Sequence, residues 1–200
     1  MSNGKIKPVE TLAGFELLLG VSGGISCYKS ADLASKLTQA GARVTVAMTA
    51  AAQQFITPLT FKALTGNKVY TSLWEEIDGN QAIHLALTER ADLMIIAPAT
   101  ANIIAKIANG IADDLVSTLA LASYGQCDIL LAPAMNTRMW QSPAVQENVQ
   151  RLTSRAVHFV GPVEGRLASG AVGIGRMAEP IEIVSAIEKI LQKVSPKNSL

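Results

Sequence analysis

The chain has 200 residues, 49% of them hydrophobic, which is enough for one full core and, on length alone, a single domain. A formal net charge of +1 with only 16% charged residues offers no broad basic field for nucleic acid, and two Trp, three Tyr and four Phe leave few platforms for stacking bases. No apolar run approaches the roughly 18 to 20 residues of a membrane helix, and "MSNGKIKPVE" lacks the apolar core of a signal peptide, so the sequence reads as cytoplasmic with no membrane partner. Cys27 and Cys127 form no CxxC pair; both read as ordinary buried thiols, and neither a metal site nor a disulfide framework is indicated.

Residues 1–14 read as an N-terminal extension. "FELLLGVS" (15–22) is a predicted strand, followed by helical spacing in "SCYKSADLASKLTQAG", with Gly41 placed as a C-cap. A second strand, "ARVTVAMT" (42–49), runs into "MTAAAQQF", where Thr49 is placed to cap a helix. His84 lies in the apolar "QAIHLALTERADL", ahead of a third strand, "ADLMIIAPAT" (91–100). Helical spacing resumes over "ANIIAKIANGIADDLVSTLALASYG" (101–125), then "CDILLAPA" (127–134) is a strand and "MWQSPAVQENVQRLTSR" (139–155) is helical. "AVHFVGP" (156–162) is the last predicted strand, with His158 as a structural residue inside it, and 194–200 is a tail. The strands are continuous apolar runs, as expected where both faces are buried. Alternation with helices predicts an α/β fold: one domain, 15–193, with a Rossmann-like or flavodoxin-like parallel sheet and helices on both faces.

Ligands of such sheets bind outside the carboxyl ends of the strands, and the unusual clusters of this sequence fall there. In "GVSGGIS", Gly23 and Gly24 allow close backbone approach and the following helix start offers free N–H groups to an anion. The stretch is neither GxGxxG nor GxxxxGK[ST], and a tight turn without a ligand is an equal reading. Thr49, and Thr100 with Asn102, are explained by capping and turn chemistry alone. Three such ends in one sheet shift the balance towards a phosphate-bearing cofactor. His84 is either a satisfied structural histidine or a catalytic one, and spacing does not separate the two.

"GVSGGIS", "HLALTERADLMIIAPATANIIAKIANGIADDL", "APAMNTRMW" and "GRLASGAVGIGRMAEP" together resemble the flavin-dependent cysteine decarboxylases, and most closely the phosphopantothenoylcysteine decarboxylases of coenzyme A biosynthesis. The resemblance runs from about Phe15 to about Leu191, and the PxMNxxMW element at Pro133 to Trp140 is its most specific part. It implies FMN as cofactor, with Gly23, Gly24 and Ile25 at its phosphate, Thr49 as a second contact, Thr100, Ala101 and Asn102 around the phosphate and ribityl chain, and Ala134 near the ring. It implies His84 as an active-site histidine, Asn136 gripping the substrate carboxylate, and Arg166, Ala168 and Met177 on a flap over a small phosphorylated, cysteine-containing substrate. It also implies a homotrimer or a trimer-based dodecamer, with flavin and substrate at subunit contacts. In many bacteria this domain is fused to a synthetase, and this chain, ending before one, is expected to be free-standing.

In this family the flavin oxidises the CH2–SH end of the substrate to a thioaldehyde, which accepts the electrons released with CO2. A flap cysteine then donates a proton as the enethiolate is reduced. Here "LASGAVGIGRM" places Ser169 at that cysteine position. A hydroxyl is a far weaker acid than a thiol of pKa about 8.5, so the reaction is expected to stop at the enethiol unless another group supplies the proton. Stopping there is the behaviour of the lantibiotic peptidyl-cysteine decarboxylases. An engineered Cys→Ser replacement that traps an intermediate, Ser169 as an inert flap residue, a flavin prenyltransferase and a flavin-binding regulatory subunit are the further alternatives. Arg166 and Arg176 suit a phosphate, a carboxylate or solvent.

Overall fold

Apolar runs that cannot face water on either side become the central strands. The computed structural model describes residues 10–75, 81–166 and 170–197. In chain order these form β1 (Glu16–Val21), α1 (Cys27–Gln39), β2 (Arg43–Met48), α2 (Pro58–Thr65), β3 (Val69–Tyr70), α3 (Ile83–Arg90), β4 (Leu93–Ala99), α4 (Ala101–Asn109) and α5 (Leu115–Ser123). They continue with β5 (Asp128–Pro133), α6 (Thr137–Trp140), α7 (Pro143–Ser154), β6 (His158–Phe159), β7 (Val163–Arg166), β8 (Val172–Arg176) and α8 (Pro180–Leu191). Six strands make one parallel sheet in the order β3-β2-β1-β4-β5-β6, and β7 and β8 form a separate antiparallel hairpin. Strand order reverses between β1 and β4, which opens a crevice at their carboxyl ends.

Both faces of the sheet are covered, as the continuous runs predict. Leu17, Leu19 and Val21 of β1 pack with Leu33 and Leu37 of α1, Phe61 of α2 and Ile183 and Ile187 of α8. Leu18 of the same strand, with Met94 and Ile96 of β4, packs against Leu87, Ile104 and Leu119 of α3, α4 and α5. The fold is thus a single α/β domain of the expected class. α1 ends as Gly41 predicts: its amide donates to Thr38 and that of Ala42 to Leu37, closing the last turn. No helix among the described residues is long and apolar enough to cross a membrane.

Several expectations are corrected. The stretch 101–125 is two helices: Gly110, at φ +70°, ends α4 in the left-handed region, and Asp114 and Ser117 cap α5 reciprocally. Thr49 caps a single 3-10 turn at Ala52–Gln54, its Oγ1 accepting the Ala52 amide at 3.2 Å, and the next helix starts only at Pro58. The last strand of the sheet is only His158–Phe159, bounded by Ala156 at φ 62° and the bend at Gly161–Pro162. On this edge His158 is exposed, with Nε2 3.6 Å from Asp128. Residues 10–14 and 194–197 pack on the domain: Leu12 is fully buried, and the Lys197 amide donates to Asp92 at 2.9 Å.

Candidate active site at the carboxyl edge of the sheet

Where the strand order reverses, side chains bind β1 to β4. The Ser22 hydroxyl donates to the Pro98 carbonyl at 2.7 Å and meets Thr100 Oγ1 at 3.1 Å, while the Thr100 amide donates back to Ser22 Oγ at 3.2 Å. Thr100 also caps α4 through the Ile103 amide. A Cβ on Gly23 would fall 2.5 Å from that of Ala51, so only glycine lets the loops after β1 and β2 meet. A Cβ on Gly24 would point towards Thr100 Cγ2, at 3.6 Å, across the gap between the two helix starts. The amides of Gly23 to Ser26 have no backbone partner among the described residues, and Ser26 leaves α1 without a side-chain cap. Two helix N-termini therefore converge with donors to spare, an arrangement that attracts an anion.

The facing wall comes from the end of β5. Asn136 caps the short α6, its Oδ1 accepting the Arg138 amide at 2.9 Å, which leaves the Nδ2 donor without a partner among the described residues. The β7–β8 hairpin docks on this loop through its glycines. The Met135 amide donates to the Gly175 carbonyl at 2.9 Å, and a Cβ on Gly173 would fall 2.5 Å from Thr137 Oγ1.

Between these walls lies a cleft of about 870 Å³. Of the residues singled out from sequence, it brings together Gly23, Gly24, Ile25, Thr49, Thr100, Ala101, Asn102, Ala134, Asn136, Arg166 and Arg176. His84 is not among its lining residues; it sits half-buried in the first turn of α3. Met177 is not among the lining residues either: its side chain is 0% exposed in the core, and its carbonyl accepts the buried Lys29 ammonium at 3.1 Å. Ala168 and Ser169 lie outside the described residues. A smaller depression of about 100 Å³ lies at the opposite edge, beside Arg43 and Lys68, and is too small for a cofactor with a ring system.

Lys29, Lys106 and Asp114 line the cleft and were missed in the sequence reading. Lys106 meets Asp113 and Asp114 at 2.6 Å each; burial lowers its pKa, but the two carboxylates outweigh this and raise it, while the same contact lowers that of Asp113. The opposite charges seven and eight residues apart in "KIANGIADD" were the available signal. Burial raises the pKa of both thiols, Cys27 and Cys127, which keeps them neutral. Among the described residues, no group of three His, Cys, Asp or Glu could hold a metal ion.

Residues 6–192 match the protein family described as Flavoprotein. The chain belongs to that family. This flavoprotein is 45% identical over 184 residues to the coenzyme A biosynthesis bifunctional protein CoaBC of Vibrio vulnificus, covering 92% of the chain and 45% of the relative. It is 43% identical over 176 residues to a probable phosphopantothenoylcysteine decarboxylase of Streptococcus mutans, covering 88% of the chain and 98% of the relative. The flavoprotein therefore spans less than half the length of the bifunctional relative and nearly all of the shorter one. Among solved structures it resembles a Cys→Ser mutant of PPC decarboxylase complexed with pantothenoylaminoethenethiol, with a TM-score of 0.79, 31% identity, and coverage of 89% and 98%. It also resembles the FMN-dependent cysteine decarboxylase SpaF, with a TM-score of 0.77, 34% identity, and coverage of 90% and 97%.

Proposed function

We propose that this flavoprotein binds FMN and decarboxylates 4′-phosphopantothenoylcysteine in the cytoplasm, as a step of coenzyme A biosynthesis. The observation that carries the reading is the cleft itself: two helix starts with spare amide donors face an asparagine whose Nδ2 is uncommitted, across a volume suited to a flavin and a small substrate. The residues fit FMN. Gly23, Gly24 and Ile25 would hold its phosphate on the amides of the loop ahead of α1, with Thr49 and Thr100 to Asn102 placed to bind its phosphate and ribityl chain and Ala134 its ring. The absence of a side chain on Gly24 keeps the gap to Thr100 open for it.

Bound FMN supplies the two-electron acceptor for the CH2–SH end of the substrate, creating the sink that loss of CO2 requires. The chain does the positioning. Asn136 Nδ2 donates to the departing carboxylate and fixes its orientation, Met135 and Met139 give an apolar wall, and Arg166 faces the far end of the substrate. The neutral thiols of Cys27 and Cys127 do not replace a flap cysteine, since one is buried under the Ser22 carbonyl and the other lies at the start of β5. Ser169 at the cysteine position supports a halt at the enethiol. A solved relative with serine in place of a cysteine carries pantothenoylaminoethenethiol, which supports that reading. After such a halt the two electrons left on the flavin would have to pass to dioxygen before a second turnover, whereas a proton from another group would complete the reduction to 4′-phosphopantetheine that coenzyme A biosynthesis uses. Peptidyl-cysteine substrates are the second reading, favoured by Ser169 and by the likeness to the peptidyl-cysteine decarboxylase EpiD, at 26% identity and a TM-score of 0.71.

A trimer completes the site. His84 is off the cleft of its own chain, and Trp74, at 91% exposed, with Leu85 and Leu121 leaves apolar surface uncovered. In such a trimer His84 would assist at the flavin site of a neighbouring copy. The test is to incubate FMN-loaded protein with 4′-phosphopantothenoylcysteine and follow CO2, flavin absorbance and product mass. CO2 with a product lacking two hydrogens supports the enethiol reading, and S169C should then yield the reduced product. No CO2 from this substrate, but CO2 from a peptide ending in cysteine, moves the assignment to the second reading. Mixing H84N and N136D proteins should restore activity that neither has alone; failure to restore it overturns the shared site.

A further inference from the structure

One wall of the cleft carries charges that the flavin and Asn136 leave unused. Lys29, only 7% exposed in the first turn of α1, donates to Glu179 Oε1 at 2.9 Å, and the same oxygen accepts Arg176 Nη2 at 2.8 Å. One carboxylate thus serves two cations, and the group keeps a positive charge. Arg176 lies across the facing strand at Gly165, where a Cβ would fall 3.1 to 3.3 Å from its Nε, Cζ and Cδ. Glycine at 165 gives the guanidinium its place. The Arg176 side chain is nevertheless 39% exposed, lines the cleft, and has no partner other than Glu179 for its donors among the described residues. Elsewhere on the lining, Lys106 is neutralised by Asp114 and by the more exposed Asp113, so the unneutralised positive charge lies at the hairpin and an anionic ligand group is drawn there.

A guanidinium held by a carboxylate on one edge presents its other edge as a planar fork for an oxyanion. We propose that Arg176 is a substrate-specificity residue that binds an oxyanion of the substrate, and that Glu179 positions it. The inference rests on the decarboxylase reading above. Phosphate and carboxylate share the required chemistry, and the two are separable by experiment.

FMN-loaded wild type, R176Q, R176K and E179Q are compared by kcat and KM on 4′-phosphopantothenoylcysteine and on pantothenoylcysteine, which lacks the phosphate. Binding of 4′-phosphopantothenoylcysteine and of 4′-phosphopantetheine, which lacks the carboxylate, is titrated by flavin absorbance. R176Q should raise KM for the phosphorylated substrate about tenfold or more; with phosphate as the partner kcat stays within about threefold, because that contact exists in ground and transition states alike. R176K should recover part of the loss, and E179Q should raise KM by a smaller factor in the same direction. If phosphate is the partner, pantothenoylcysteine is indifferent to R176Q and phosphopantetheine binds more weakly. If carboxylate is the partner, both substrates lose alike and phosphopantetheine binding is unchanged. KM values in R176Q equal to wild type for both substrates, with only the thermal midpoint lowered, overturn the proposal and leave Arg176 a plain ion pair. Should wild type turn over neither substrate, the decarboxylase reading fails first; the titrations then decide, and equal binding of both compounds by wild type and R176Q overturns the role of Arg176. If R176Q does not fold, R176K carries the same comparison.

Discussion

Replacing Gly175 by alanine tests the contact on which the Asn136 loop rests. Gly175 has φ +144°, where an L-residue costs about 1–3 kcal/mol. The added methyl would also lie closer than 3.0 Å to the Met135 carbonyl oxygen, which is backbone and cannot rotate aside. The loop must back away by about 1 Å, at an overpacking cost of about 1–3 kcal/mol. Together these come to about 2–6 kcal/mol, and for a chain of this size each kcal/mol lowers the thermal midpoint by about 2–4 °C. A shift of about 1 Å next to a substrate-orienting side chain costs about 100-fold in kcat/KM. FMN should stay bound, because the amides after β1 and the cap of α4 belong to other strands. Gly66→Ala is the control: Gly66 has φ +70° with no atom within 4 Å of a new Cβ, so it reports backbone strain alone, about 1 kcal/mol, with full activity. The assay is CO2 release by FMN-loaded protein beside a thermal melt. G175A with the kcat/KM of G66A would refute the claim that this glycine contact sets the substrate loop.

Thr100→Val removes the α4 cap and the partner of Ser22; about 1 kcal/mol of stability and about tenfold in FMN affinity should be lost, as read by a urea midpoint and a flavin fluorescence titration. Leu119→Ala empties a fully buried position and should cost about 2–5 kcal/mol with FMN affinity unchanged, so a loss of affinity matching the loss of stability would count against separating core from site. Glu75 gives an acid-side prediction: burial raises its pKa, but the Thr71 amide, Lys68 and the Ser72 amide outweigh this and hold it below the ordinary 4.5. Its contribution to stability is therefore complete above pH 4.5 and is lost as the pH falls through the lowered value. Glu75→Gln should flatten that part of the fall in urea midpoint, and an unchanged acid limb would remove Glu75 from the account.

The central strands were legible because burial on both faces leaves an unbroken apolar run, as in Leu17 to Leu19 and Leu93 to Ile96. The cofactor end of the cleft was legible for a different reason: a helix start after a strand needs small and hydroxyl residues, and Gly23, Gly24 and Thr100 show themselves as such. What escaped was decided by direction rather than composition. Apolar spacing runs through Gly110, so the break between α4 and α5 showed only as "NG" and "DD" inside a helical pattern. The hairpin lacks an apolar run, since its strands are built for docking: Gly173 and Gly175 face α6 and its preceding loop, and Gly165 faces Arg176. Met177 adjoins Arg176 in sequence, yet its side chain enters the core and only its carbonyl reaches Lys29. Lys29 carries no signal of its role in the sequence: its partner is 150 residues away, a pairing that periodicity cannot report.

Pro196 lies against Gly14, where a Cβ would be 3.6 Å from it, and Lys197 reaches Asp92 and the Ala91 carbonyl at the start of β4. The described chain therefore leaves and re-enters the domain at one spot, on the amino edge of the sheet, while the cleft opens on the carboxyl edge. Cargo joined directly at residue 10 or residue 197 would hang from the base of the molecule and leave the mouth clear. By the same geometry, a short linker joining residues 197 and 10, with new ends cut in an exposed loop away from the cleft, should give a circularly permuted protein that still takes up flavin.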